Sequence, residues 1–320
     1  MINHTRRRIL GAIAIAVAAA HVRAVGATGR EQASRAEIGF IDIGSDTKLR
    51  RMLVRNPRPK GVVLFLHGFP ETLYAWKDIS LALASDYEVH AFDWPGYGLS
   101  SRPPVDRFSY APRDYADVLK QYIRKSGIDT SRLVVYATDI GALPALILAL
   151  DEPTIAKRII VGDFAPFDRP QYMHANLQSL KSRPSSDRTR AHMNNTRDEI
   201  LENAFRRGLS IDEQFELSQD LREDMLRGWS QDSMTSADAF YHYYSHFTRD
   251  QNYFESQLSK LKTPVTVIWG EKDFYINKEM GTELANRASL ELVVLSGVGH
   301  YPHLQDPKRT IKEIRASFDE

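Results

Sequence analysis

Residues 133–141 place a buried strand, a sharp turn and the start of a helix directly one after another. The run from Leu133 to Tyr136 is apolar and rich in Val, which is typical of a fully buried strand. Small residues surround Asp139 in the turn, and an apolar helical pattern begins at Ala142. Ala137 and Gly141 are expected to be small because the strand and helix backbones come close at this turn. A buried strand leading straight into a helix is typical of an α/β fold.

The side chain at the tip of this turn is a carboxylate, Asp139. A strand–turn–helix of the form small-x-nucleophile-x-Gly presents a nucleophile at the edge of the sheet. A carboxylate nucleophile forms an alkyl ester by attacking a saturated carbon that carries a leaving group. This chemistry favours epoxides or carbon–halogen bonds over ordinary esters and peptides. The alternative is that Asp139 only caps the helix that follows.

Strand patterns recur along the chain and alternate with helical ones. Besides the strand that begins at residue 133, they cover residues 38–43, 48–55, 61–66, 88–92, 159–161, 265–269 and 290–295. Helical patterns at 74–84, 112–126, 142–150 and 307–318 separate several of them. We therefore predict an α/β fold with a mostly parallel eight-stranded sheet flanked by helices, and an antiparallel edge formed by the first two strands.

The alternation stops between residues 166 and 248. Charged helical segments such as 198–207 and 211–228 dominate there, and no strand pattern is visible. We predict a helical insert that acts as a lid over a core made of residues 36–165 and 249–320. A packed structural subdomain is the alternative.

Residues 1–27 resemble a bacterial export signal of the twin-arginine type. Arginines at positions 6–8 precede the apolar run 11–20, and small residues at 25–27 offer a cleavage site. The run is too short to span a membrane comfortably, so we expect a periplasmic or secreted protein without a stable membrane anchor. An uncleaved anchor or a disordered basic tail is the alternative. The absence of Cys excludes disulfides and thiolate metal sites.

The charge balance argues against polyanionic partners. Lys and Arg number 42 and Asp and Glu 41, and no basic stripe with interleaved aromatic residues is present, so nucleic-acid binding is not expected. Neither a metal ion nor an organic cofactor is implied. The oligomeric state stays open.

Three further motifs follow strands in the same chain order as a known family. They read Phe-Leu-His-Gly-Phe-Pro-Glu at 65–71, Gly-Glu-Lys-Asp-Phe at 270–274 and Gly-Val-Gly-His-Tyr at 297–301. With the turn at Asp139 they resemble the α/β-hydrolase fold family over about residues 60–318, in the form seen in epoxide hydrolases and shared by haloalkane dehalogenases. The resemblance implies a catalytic triad of Asp139, Asp273 and His300.

Each member of this triad has a distinct expected role. Asp139 would be alkylated, His300 would activate the water that hydrolyses the ester, and Asp273 would orient the imidazole. Asp163, which ends another strand, is the alternative acid, because some dehalogenases carry their acid there. Asp93 is expected to be structural.

The motif at 65–71 is expected to supply an oxyanion hole. The resemblance implies a cis bond before Pro70 and an oxyanion hole formed by the backbone N–H groups of Phe69 and Ile140. Gly68 permits an unusual backbone there. His67 is expected to brace this turn through hydrogen bonds rather than to take part in chemistry.

Ring opening of an epoxide needs a hydrogen-bond donor near the ring oxygen, and a neutral phenol suffices. In the lid segment 240–247, Tyr244 best matches the family's second lid tyrosine, and Tyr241 and Tyr243 are alternatives. His192 is a possible second donor, and Tyr172 is another candidate.

Halide release would need N–H donors instead. Family dehalogenases place Trp after the nucleophile and often a polar residue after His-Gly, where this chain has Ile140 and Phe69. Fluoroacetate dehalogenases carry Arg beside the nucleophile, which Ile140 and Ala142 do not supply.

We therefore predict an epoxide hydrolase-like enzyme whose partners are a small hydrophobic substrate and water. One alternative is a haloalkane dehalogenase-type hydrolase that attacks an alkyl halide with the same nucleophile. The other is a secreted binding protein with a vestigial site.

Overall fold

Ten strands run along the chain in the computed structural model, which describes residues 35–44 and 47–319. In chain order they are β1 (Ala36–Gly44), β2 (Thr47–Val54), β3 (Val62–Leu66), β4 (Glu88–Phe92), β5 (Leu133–Thr138), β6 (Arg158–Gly162), β7 (Ser230–Gln231), β8 (Met234–Thr235), β9 (Val265–Gly270) and β10 (Glu291–Leu295). The predicted export signal, residues 1–27, lies outside the described residues.

Eight of these strands form one sheet in the order β1-β2-β4-β3-β5-β6-β9-β10. β2 pairs antiparallel with both β1 and β4, and every other neighbouring pair is parallel. The apolar runs of β3 and β5 lie side by side and are fully buried. Because parallel strands end at the same edge of a sheet, the turns after β3, β5, β6, β9 and β10 meet there. The predicted eight-stranded, mostly parallel sheet is confirmed.

Helices flank this sheet and form the insert. They are α1 (Lys77–Leu83), α2 (Pro112–Lys125), α3 (Ala142–Asp151), α4 (Ala175–Ser179), α5 (Ser185–Asn195), α6 (Arg197–Asn203), α7 (Gln219–Gly228), α8 (Ser236–Gln257), α9 (Glu279–Ala288), α10 (Pro302–Gln305) and α11 (Pro307–Asp319). α1 packs against α11, and α2 packs against α3. α3 is apolar on all sides and almost wholly buried, as expected of a helix inside a protein core.

The insert between β6 and β9 differs in detail from its predicted helical pattern. β7 and β8 pair as a two-residue ribbon, which is too short to leave an alternating pattern in the sequence. The stretch 211–228 is helical in two pieces because Ser218 starts α7 afresh, accepting a hydrogen bond from the Leu221 amide. α8 begins after a capping box formed by Thr235 and Asp238 and continues to Gln257. It therefore runs through residue 248, the predicted end of the lid.

A buried ionic network joins the insert to the core. Arg50 of β2 donates two hydrogen bonds of 2.7 and 2.6 Å to Asp224 of α7, and a third of 2.5 Å to Asp93. Thr72 also donates to Asp224, at 2.6 Å. Bidentate arginine–carboxylate pairs fix orientation as well as distance, so α7 has a defined position on the core.

Among the residues that the structure describes, no helix is both long and apolar enough to span a membrane.

Candidate active site

Asp139 lies in the predicted strand–turn–helix, with a strained backbone. It follows β5, has a positive φ of 48° and begins a single 3-10 turn that leads into α3. A Cβ on Gly141 would lie 3.0 Å from the Leu66 Cβ and 3.2 Å from the Leu66 carbonyl oxygen. At Gly141 a side chain would therefore crowd the end of the neighbouring strand β3.

The carboxylate of Asp139 faces the loop after β3. The Phe69 amide donates a 2.7 Å hydrogen bond to Asp139 Oδ1, and no hydrogen bond joins this side chain to α3 among the described residues. The capping alternative is therefore not supported. The Phe69–Pro70 peptide bond is cis. A Cβ on Gly68 would come within 2.8 Å of the Asp139 Cβ, so only glycine fits beside the carboxylate.

Hydrogen bonds from three directions hold the loop after β3, residues 67–71. The Trp94 amide donates to His67 Nε2 at 3.1 Å, which is the bracing expected of His67. The Gly68 amide donates to Glu71 Oε2 at 2.8 Å, and Glu71 Oε1 pairs with His303 Nε2 at 2.7 Å. Tyr301 donates its hydroxyl to the Phe69 carbonyl at 2.9 Å.

Asp93 is fully buried and serves structure. Besides its pair with Arg50, it accepts the amides of Leu73 at 2.8 Å and Leu99 at 3.0 Å. It therefore fixes the loops around the site without facing the nucleophile.

His300 lies between two carboxylates. Its Nδ1 is 2.9 Å from Asp273 Oδ2, and its Nε2 is 3.6 Å from Asp139 Oδ2. Asp273 is held in turn by the amides of Tyr275 and Ile276, at 2.8 and 3.0 Å from its Oδ1. Burial alone would lower the pKa of His300, but the charge of Asp273, the hydrogen bond to it and the charge of Asp139 raise that pKa well above its ordinary value.

Asp163, the alternative acid, lies behind this pair. It is fully buried, its Oδ1 accepts the Gly270 amide at 2.9 Å, and no hydrogen bond links it to His300. Oxygen and nitrogen atoms of Asp163, Asp273 and His300 lie within 4.8 Å of one another, the spacing of a possible metal site. The facing atoms of Asp273 and His300 already bond to each other, so this cluster offers a metal few free lone pairs.

Asp139 and His300 line a cavity of about 350 Å³ beneath the insert. Its apolar walls include Phe69, Leu177, Leu180, Met193, Ile200 and Phe240, and its polar lining includes Arg188, Thr189, Thr196, Glu199 and Arg207. The cavity is therefore mainly apolar, with the polar groups contributed chiefly by α5 and α6.

The three predicted lid tyrosines point in different directions. Tyr241 donates to Asp187 at 2.9 Å, and Tyr243 donates to the Ile140 carbonyl at 3.3 Å. Tyr244 is buried, and its hydroxyl makes no hydrogen bond to a described residue. Burial, together with the charges of Asp139 and Asp273, raises the pKa of Tyr244 well above its ordinary value, so the phenol stays protonated.

Tyr244 does not itself line the cavity. Its ring centroid lies 4.8 Å from that of Phe240, which does. His192, the possible second donor, lines the cavity from the last turn of α5, whereas Tyr172 is not among the lining residues.

Three tyrosines in or near this site were not predicted from the sequence. Tyr275 and Tyr301 line the cavity but use their hydroxyls on backbone carbonyls. Tyr97 is fully buried, its hydroxyl has no partner among the described residues, and burial and the charge of Asp139 raise its pKa. The sequence could have pointed to Tyr97, because this residue lies in the turn 93–98 that directly follows the strand β4.

Comparisons with known proteins identify the family of the chain. The Alpha/beta hydrolase family matches residues 63–313. Epoxide hydrolase 3 of Mus musculus is 26% identical over 258 residues, which cover 75% of this chain and 65% of the mouse protein's length. Fluoroacetate dehalogenase of Burkholderia sp is 34% identical over 106 residues, or 32% of this chain and 34% of that protein.

A solved structure supports the same fold. The crystal structure of Cfl2 from Burkholderia cenocepacia gives a TM-score of 0.73 at 20% identity, covering 88% of this chain and 95% of that one. The predicted fold and the predicted hydrolase class are confirmed. The chain belongs to the α/β-hydrolase family, as a hydrolase related to epoxide hydrolases and haloalkane dehalogenases.

Proposed function

We propose that this protein hydrolyses epoxides to vicinal diols through an alkyl ester on Asp139. The observation that carries the proposal is that the two oxygens of this carboxylate have different neighbours. Oδ1 accepts the Phe69 amide, while Oδ2 faces His300 at the cavity wall. Oδ2 is therefore the oxygen that attacks, and Oδ1 becomes the ester carbonyl.

In the first step, Asp139 Oδ2 forms a bond to an epoxide carbon as the carbon–oxygen bond of the ring breaks. The developing alkoxide needs a donor. Of the lid tyrosines Tyr241, Tyr243 and Tyr244, only Tyr244 has a hydroxyl with no hydrogen-bond partner among the described residues, and its phenol stays protonated. The alkoxide takes the phenol proton, and the phenolate regains a proton from water. His192 is the candidate for a second donor from the cavity wall.

In the second step, the loss of charge on Asp139 changes His300. The ester no longer carries one of the two negative charges that raise the pKa of His300, so the ring gives its proton to the solvent, which balances the proton taken up by the phenolate, and becomes a base. Nε2 then takes a proton from water as the hydroxide attacks Asp139 Cγ. Charge develops on Oδ1, which already accepts the Phe69 amide, and the Ile140 amide is the expected second donor. The Cγ–Oδ2 bond breaks as His300 returns the proton from Nε2 to Oδ2, and the diol leaves with Oδ2. The new carboxyl group of Asp139 then gives its proton to His300, which restores the resting state.

The choice of leaving group depends on the donors near Asp139. Phe69 and Ile140 carry no side-chain N–H group that could hold a departing halide. The relatives include epoxide hydrolases, and the mainly apolar cavity suits a small hydrophobic epoxide. These observations favour ring opening over halide release.

Hydrolytic dehalogenation is the second candidate. It would use the same Asp139 ester, and it is favoured by the similarity to fluoroacetate dehalogenase and by the cationic side chains of Arg188 and Arg207 at the cavity. A vestigial binding site is not favoured, because Asp273 holds His300 by a hydrogen bond and the other ring nitrogen of His300 faces Asp139 at 3.6 Å.

A product assay separates these functions. Purified protein is incubated with terminal and aryl epoxides and with bromoalkanes, and diol and bromide are measured separately. We expect diol formation that is lost in the isosteric Asp139→Asn variant. Bromide release without diol would support the dehalogenase, and neither product across both panels would support a binding protein.

A further inference from the structure

The geometry of Asp163 sets it apart from an ordinary strand-end aspartate. In the parallel pair β5–β6, Thr138 pairs with Gly162, so Asp139 and Asp163 occupy equivalent positions on neighbouring strands. Asp163 also has a positive φ, 53°, and is fully buried. A strained backbone held around a buried carboxyl indicates a specific role.

One oxygen of Asp163 is satisfied and the other is not. Oδ1 accepts the Gly270 amide at 2.9 Å, whereas Oδ2 has no hydrogen-bond partner among the described residues. The ionisable groups that face it are Asp273 from the loop after β9, His300 from the loop after β10, and Tyr136 from β5. An unpartnered ionised carboxylate would be costly in this position.

Asp273 offers the missing partner. Its Oδ1 accepts two backbone amides and its Oδ2 accepts His300 Nδ1, so three of about four acceptor positions of the carboxylate are used. Two facing carboxylates have no donor between them and repel, unless one of them keeps its proton. Burial, and then the charge of Asp273, raise the pKa of Asp163 well above its ordinary value, against a smaller opposing effect of His300.

We propose that Asp163 is a positioning residue that remains a neutral carboxylic acid and donates a hydrogen bond to the Asp273 carboxylate. Because Asp163 keeps its proton, His300 is surrounded by two negative charges, those of Asp139 and Asp273, rather than three. The bond restrains Asp273 in the orientation that holds the His300 ring. Its catalytic consequence rests on the proposed function, but the protonation state does not.

The matched pair of variants is Asp163→Asn and Asp163→Ala. The amide of Asn can accept from Gly270 and donate to Asp273 without titrating, whereas Ala removes both bonds. We expect Asp163→Ala to slow hydrolysis of the Asp139 ester about tenfold, as loss of one charge-assisted hydrogen bond would, and Asn to rescue most of that loss. Asp273→Asn should slow the same step by orders of magnitude.

The pH dependence supplies a readout that packing alone would not move. Native protein should lose ester hydrolysis at alkaline pH as Asp163 ionises, and Asp163→Asn should not show this loss. The free energy of unfolding should also change. Because folded Asp163 holds a proton that the unfolded chain releases above about pH 4, native stability should fall as pH rises. The Asn variant should fall less, keeping only the decline above about pH 6.5 that the raised pKa of His300 contributes.

Protonation is tested directly by infrared difference spectroscopy, which needs no activity. The native-minus-Asp163→Asn spectrum at neutral pH should contain the carbonyl band of a protonated carboxylic acid. A carboxylate band instead, or identical pH profiles of stability in native protein and Asn variant, would overturn the proposal. So would activity that a chelator abolishes and a divalent cation restores, since a metal would then occupy the place of the proton.

Discussion

At the scale of single residues, the two oxygens of Asp139 meet different partners because of where the residue lies. The positive φ of 48° turns its side chain towards the loop after β3, where the Phe69 amide takes Oδ1. His300 lies on the side of Oδ2. A serine here would offer only one oxygen. A carboxylate offers two, so that one can attack the substrate while the other becomes the carbonyl oxygen of the ester.

The Tyr244 hydroxyl is the group whose role can be isolated most cleanly. Tyr244→Phe retains the ring, which packs on Phe240 and Phe247, and removes only the donor. We expect formation of the ester from epoxides to slow on the order of ten- to a thousand-fold, with folding intact. Stopped-flow measurement of the alkylation phase gives this rate.

The control for this substitution is Tyr241→Phe, because the Tyr241 hydroxyl donates to Asp187 and not towards Asp139. It should leave alkylation at the native rate. If Tyr244→Phe alkylates at the native rate too, ring opening must depend on another donor, and His192 becomes the residue to substitute.

At the scale of elements, the loop after β3 is tied to α10 by a buried pair. Glu71 and His303 are both fully buried, and Glu71 also holds the Gly68 amide. Burial alone would raise the pKa of Glu71, but the adjacent His303 and the hydrogen bonds from His303 and Gly68 hold it below its ordinary value. The loop that carries the Phe69 amide therefore depends on an ionised Glu71.

Glu71→Gln should destabilise the fold by about 3 kcal/mol at neutral pH, because it leaves a buried polar partner uncompensated. A group with a lowered folded pKa stabilises above its unfolded pKa, about 4.3, and the effect fades as pH falls through the folded value. The difference from native protein in urea unfolding should therefore shrink on acidification.

Tyr301→Phe serves as the comparison, since it removes one hydrogen bond to the same loop and should cost only about 1 kcal/mol. Equal stability of native and Glu71→Gln protein at neutral pH, or a difference that grows in acid, would contradict the assigned charge state.

Some of these features could be predicted from the sequence and others could not, for physical reasons. The central strands and the turn at Asp139 were predictable because buried parallel strands leave continuous apolar runs. The pairing of Glu71 with His303 and of Arg50 with Asp224 was not, because partners 232 and 174 residues apart leave no local pattern. The directions of Tyr241, Tyr243 and Tyr244 likewise depend on the rotation of α8, which the aromatic cluster 240–247 does not specify.

At the scale of the whole molecule, we propose that the chain acts after export. The arginines at 6–8, the apolar run 11–20 and the small residues before position 28 support this proposal. N-terminal sequencing of protein from the periplasmic fraction should find a mature chain that starts near Thr28. Replacing the three arginines by lysine keeps the charge and should retain the precursor in the cytoplasm, whereas full-length native protein in the cytoplasm or membrane would refute export.

The covalent ester on Asp139 is the central claim, and trapping it is the most direct test. In His300→Gln the nucleophile and the Phe69 amide remain while the base is lost, so alkylation should proceed and hydrolysis should stall. After incubation with an epoxide that native protein turns over, the intact mass of the variant should rise by the mass of that substrate, and peptide mapping should assign the adduct to Asp139. An unchanged mass, or an adduct on any other residue, would contradict the account.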